Sequence, residues 1–109
     1  MPKHPSDSSP QRQAGIALVK ALKEELDIVL ELDFRPPNTC GFEVDGFSAK
    51  PPVLCEAWAH YGEVKPPHKH KIISDAFKLL LAEKQLKKKH EKFIIFCDNV
   101  ARESFVSDN

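Results

Sequence analysis

Cysteine, glycine and long apolar runs are all scarce in this 109-residue sequence. The three cysteines, Cys40, Cys55 and Cys97, are odd in number and widely spaced, and none forms a C-x-x-C pair. Neither a disulfide framework nor a zinc knuckle is suggested, and each is expected to behave as a small buried hydrophobe in a reducing compartment. No apolar run approaches the roughly 18 residues that a bilayer span needs, and the amino end, MPKHPSDSSP, lacks the apolar stretch of a secretory signal. These absences lead to the expectation of a soluble, cytoplasmic protein without a membrane partner. There is also no G-x-x-x-x-G-K-[ST] loop and no G-x-S-x-G elbow, so P-loop nucleotide hydrolysis and serine-esterase chemistry have no support. The net charge is zero, which argues against a general nucleic-acid coat.

What is present is enough for one core and too little for two: 41% of the side chains are hydrophobic. Charge is distributed unevenly. Residues 1–64 carry 6 Lys and Arg against 10 Asp and Glu, whereas residues 65–92 carry 9 against 3. Such a dipolar chain lets a phosphate backbone meet the basic side while divalent cations meet the acidic one; a solvated helix face is the plainer reading of the same lysines. Residues 1–10, with three prolines and three serines, read as a flexible tail before a domain over 11–109. Helical spacing of Ile16, Val19, Leu22 and Leu26 predicts a helix over 11–26. Alternation predicts strands over 28–34 and 41–47, and a third, apolar strand over 53–60 follows Pro51-Pro52. A long helix over 68–90 is expected to bury Ile72, Ile73, Ala76, Phe77 and Leu80, and the run at 93–97 reads as a buried strand before a short helix that ends near 105. The fold class is α/β: a single domain with an α-β-β-β-α-β core, in which a hairpin and a parallel crossover make a mixed sheet flanked by helices.

The residues that suggest chemistry sit on the second and third strands. Alternation places Glu43 and Asp45 on one face of the second strand. In the third, Glu56 lies inside V-L-C-E-A-W-A-H, where an unpaired charge is costly to bury. If the two strands pair as a hairpin, Asp45 and Glu56 come within a few ångströms and repel unless one is protonated or a cation lies between them. Mg²⁺ or Mn²⁺ with oxygen ligands and waters is the economical cation. The plainer alternative gives Glu56 a lysine partner and leaves Asp45 to cap the turn at Asp45-Gly46. Lys71, Asp75 and Lys78 share a stripe roughly opposite the expected apolar face and read as a surface pairing. His60, His68, His70 and His90 read as exposed, and Trp58 as core.

An aspartate, then eleven residues later a glutamate in a hydrophobic strand, then a basic helix, resembles the PD-(D/E)XK superfamily of restriction-endonuclease-like proteins. The likeness spans roughly residues 11–105. It implies a restriction-endonuclease-like fold, a metal-dependent nuclease hydrolysing nucleic-acid phosphodiester bonds, and Asp45 and Glu56 as Mg²⁺ or Mn²⁺ ligands with Glu43 assisting. The motif lysine position holds Trp58. In some members the basic residue moves to the following helix, where Lys65, Lys69 and Lys71 are the candidates here. The rival expectation is a module that keeps the fold, has lost cleavage, and binds nucleic acid or protein. So small a domain has little surface with which to grip a duplex alone, so a homo-oligomer or larger complex is also expected.

Overall fold

The computed structural model describes residues 9–37 and 41–106. Three helices and four strands follow one another as α1 (Ser9–Leu26), β1 (Glu31–Phe34), β2 (Val44–Ala49), β3 (Pro52–Trp58), α2 (Pro66–Leu86), β4 (Glu91–Phe96) and α3 (Asn99–Val106). The sheet order is β1-β2-β3-β4, with β1-β2 and β2-β3 antiparallel and β3-β4 parallel. The expected α/β class, element order and mixed sheet are all present in one compact domain. No helix among the described residues is long and apolar enough to cross a membrane. Most of the expected tail, and Cys40, lie outside the described residues.

Period-two alternation along β3 makes three layers out of these elements. Cys55 packs with Val19 of α1, while its neighbour Leu54 packs with Leu79 and Ala82 of α2. β4 repeats the division, with Phe93 and Ile95 on the α1 side and Ile94 on the α2 side. A third cluster of Trp58, Val64, Ile72 and Ala101 ties α3 to the start of α2. Trp58 is thus core, as expected. Cys55 is fully buried and Cys97 only partly.

Several boundaries differ from expectation for local reasons. α2 starts at Pro66, since prolines fit a first turn that needs no N–H donors, and stops at Leu86 because Lys87 takes a left-handed conformation (φ 56°) that closes the helix. The chain then turns inward. His90 is buried, against the expectation of exposure, and its N–H donates to Glu83 Oε2 at 2.7 Å. The largest difference is the rotation of α2 about its axis. Ile72, Leu79 and Ala82 are buried, while Ile73, Phe77 and Leu80, expected inside, are 57%, 64% and 49% exposed. A helix apolar around most of its circumference does not specify its buried face by hydrophobicity alone.

Candidate functional site

Alternation fails at one point in the sheet, and the site is built there. β1 and β2 pair through Leu32↔Gly46 and Phe34↔Val44, which leaves Asp33 opposite Asp45. Leu32 packs on the α1 side and Phe34 on the α2 side, although they are two residues apart. Asp33 lies between them with φ 52°, a left-handed conformation that aspartate tolerates better than most residues, and it turns the strand over. β2 turns at the same level. Val44 packs with α2, whereas a Cβ on Gly46 would sit 3.0 Å from Val19 Cγ1 on α1. The alternation that was expected to set Glu43 beside Asp45 therefore does not hold.

The β2-β3 ladder also ends at this level, with Gly46↔Cys55 its last pair. Continued in register, Asp45 and Glu56 stand opposite each other, and their carboxylates take over the role of the backbone. The Asp45 N–H donates to Glu56 Oε2 at 2.8 Å, and the Ala57 N–H donates to Asp45 Oδ2 at 2.8 Å. Each acid is clamped by the other strand, which fixes both side chains where β2 leaves β3 to follow β1. The gap opens into a cleft of about 530 Å³ bordered by Gln11, Arg12 and Ile16 of α1 and by Lys71, Asp75 and Lys78 of α2.

Lys78 supplies the positive charge. Its Nζ lies 3.0 Å from Glu56 Oε1, donates to the Glu43 carbonyl oxygen at 2.9 Å and stands 3.8 Å from Asp75 Oδ1. Burial pushes Glu56 up to about 7, with the Asp45 charge adding to the rise and Lys78 opposing it. Burial likewise raises Asp45, against the lowering effects of its bond from Ala57 and of Lys78. Burial pulls Lys78 down, but the Glu56, Asp75 and Asp45 carboxylates, Glu56 foremost, together more than reverse this, so its pKa lies above the ordinary value and the amine stays charged. Cys55, under the pair, is pushed up to about 12 by burial and the two acids, which leaves an inert thiol.

The structure distributes the remaining candidates unevenly. Asp45 and Glu56 come together as expected. The Glu43 carboxylate turns away to pair with Arg35 Nε at 3.0 Å, and only its carbonyl oxygen joins the site. Lys65 is the exposed N-cap residue of α2, and neither it nor Lys69 borders the cleft. Lys71 stands at the mouth, 3.5 Å from Asp75 Oδ1 and largely exposed. At the rim, Arg12 pairs with Asp33 at 2.8 Å, and the His60 ring stacks on His68 beside Trp58. Lys78 is the residue that sequence reasoning assigned to the surface. Its stripe with Lys71 and Asp75 was visible, but the rotation of α2 that carries the stripe into the cleft was not.

Among the described residues, no three His, Cys, Asp or Glu side chains converge as a metal-ligand group. The donor set nevertheless suits Mg²⁺ or Mn²⁺, which use one or two carboxylates and leave the rest of the shell to water and phosphate. Among the described residues no hydrogen bond reaches Asp45 Oδ1, and the elevated Asp45 and Glu56 are a pair that a second cation relieves. Compared with protein-family models, with curated proteins and with solved structures, the chain matches none.

Proposed function

We propose that this chain is a metal-dependent nuclease-like domain with a restriction-endonuclease-like core that hydrolyses phosphodiester bonds of nucleic acid. The observation that carries this reading is the interlocked Asp45–Glu56 pair at the splayed end of the hairpin, with the Lys78 ammonium 3.0 Å from Glu56. Asp45 and Glu56 hold Mg²⁺ or Mn²⁺, which when bound supplies Lewis-acid activation of the phosphoryl group and of a water. The backbone bonds to both carboxylates keep them oriented before any substrate arrives. Lys78 takes the part that the superfamily resemblance gives to the lysine replaced here by Trp58. Because Lys78 remains protonated, it orients water and stabilises negative charge; it does not accept a proton. Without the metal Glu56 is raised to about 7 by burial and the Asp45 charge, so metal binding would displace a proton from it near neutrality. Arg12 and Lys71 at the mouth supply phosphate contacts from opposite sides of the sheet.

A second reading has its own observation. Lys78 already compensates Glu56 internally, and Trp58 fills the motif lysine position, as in a binding module that has lost cleavage. Titration calorimetry with Mn²⁺, together with cleavage assays on DNA and RNA, separates the two. Asn at position 45 still accepts the Ala57 N–H, so Asp45→Asn is expected to keep the fold while losing metal binding and at least 100-fold in cleavage. Cleavage at wild-type rate in Asp45→Asn would sink the nuclease reading. Salt-sensitive nucleic-acid binding that ignores both EDTA and Mn²⁺, without cleavage, selects the silent module.

A further inference from the structure

The rotation that brings Lys78 into the cleft leaves a second apolar face on α2. Ile73, Phe77, Leu80 and Leu81 fall at i, i+4, i+7 and i+8, so they form one stripe, and they are 57%, 64%, 49% and 45% exposed. Their exposed area is on the order of 400 Å², the size of the largest apolar patch on a typical monomer, which is often a functional one. It is about half of the ~800 Å² that each partner contributes to a standard interface, so a polar rim has to supply the rest. That rim is basic. Lys84 lies one turn beyond Leu80 and Leu81, and Lys87 and Lys88 follow; all three are exposed and none is in an ion pair among the described residues. The matching surface is an apolar patch ringed by carboxylates.

The same chain carries one on the opposite side of the sheet. Leu26, the last residue of α1, is 36% exposed, and Val29, in the link to β1, is 78% exposed. Glu24, Glu25, Asp27 and Glu31 surround them in sequence, all exposed and outside any ion pair among the described residues. Because α1 and α2 cover opposite faces of the sheet, one molecule cannot close this contact on itself. A two-fold pairing of α2 with α2 centred on Phe77 fits poorly, since it sets Lys84 beside Lys69 of the second copy, cation toward cation. We propose that a second copy of the chain docks its acidic α1 end onto the basic-rimmed α2 stripe, in a head-to-tail contact. Such a contact uses two different surfaces, so it propagates beyond a dimer or closes into a ring, and salt weakens it.

The test uses two variants outside the cleft, Phe77→Glu and Val29→Lys, both at exposed positions, with light scattering from micromolar to millimolar protein and thermal melts as folding controls. Wild type is expected to grow past a dimer with concentration and to shrink in high salt, and each variant alone is expected to associate at least tenfold more weakly. An equimolar mixture of the two retains one intact α2 stripe and one intact α1 end, so it is expected to form a one-to-one pair that grows no further. Three outcomes overturn the proposal: a wild type that stays monomeric throughout, a Val29→Lys variant that associates like wild type, or a mixture that stays monomeric.

Discussion

Replacing Glu56 by glutamine removes one titration from a buried site while keeping its shape and an oxygen acceptor for the Asp45 N–H. Glu56 titrates near 4.5 when the chain is unfolded and near 7 in the folded protein. Between these values the folded state holds a proton that the unfolded state has lost. Stability therefore falls as pH rises, by about 1.4 kcal/mol per pH unit across this window. The contribution is fully present below pH 4.5 and is lost as the pH passes 7, a total of about 3 kcal/mol. Asp45, also raised, adds to the same trend, whereas His60, lowered by burial and by His68, works against it. Comparison with Glu56→Gln isolates Glu56 together with its coupling to Lys78 and Cys55, because titrations that do not touch it, such as that of His60, are common to both proteins. Urea unfolding at pH 5 and pH 8, with EDTA present, is expected to show the wild type losing about 2.5 kcal/mol more than the variant between those two pH values. Parallel stability curves for the two proteins would refute the reasoning, since Glu56 would then titrate as an ordinary exposed acid.

Two further outcomes follow from the same geometry. Lys78→Met is expected to cost about 3–5 kcal/mol in urea unfolding at pH 8, where it strands the ionised Glu56, and much less at pH 5, where Glu56 is protonated; an equal cost at both values would show that the loss is one of packing alone. Gly46→Ala places a methyl 2.6 Å from Cys55 Sγ and 3.0 Å from Val19 Cγ1, and is expected to destabilise by about 1–3 kcal/mol, with Cys55→Ala in the same chain restoring part of the loss.

How much of this was legible in the sequence depended on whether the signal was local. The order of elements was readable because each apolar run, from Val53 to Trp58 and from Phe93 to Phe96, carries its own periodicity and its own stops. The Asp45–Glu56 pair was readable because two neighbouring strands joined by a short link are expected to pair as a hairpin, whereas the two-residue reversal that fixes their register belongs to the structure. Glu43 was misplaced because alternation assumes a regular strand, and the turn-over at Asp33 and Asp45 depends on one left-handed residue in a neighbouring strand. Lys78 was missed for a related reason. Ile73, Phe77 and Leu80 make as good an apolar face as Ile72, Leu79 and Ala82, and the choice between them is made by the sheet.

That choice has a physical cause. A large apolar side chain gains about 1.5–3 kcal/mol on burial, so turning α2 to bury Phe77 and Ile73 exchanges them for Ile72 and Leu79 at little net change. The same turn carries Lys78 out of the cleft and, at pH values above about 7 where Glu56 is ionised, leaves it uncompensated beside Asp45, a loss of about 3–5 kcal/mol for a broken buried pair. Electrostatics at Glu56 therefore outweighs hydrophobicity in setting the rotation of α2, and the exposed stripe is its consequence. The two carboxylates thus shape the surface of the helix on the side facing away from them: a core without the Asp45–Glu56 pair has no reason to prefer a helix that shows Phe77 to solvent.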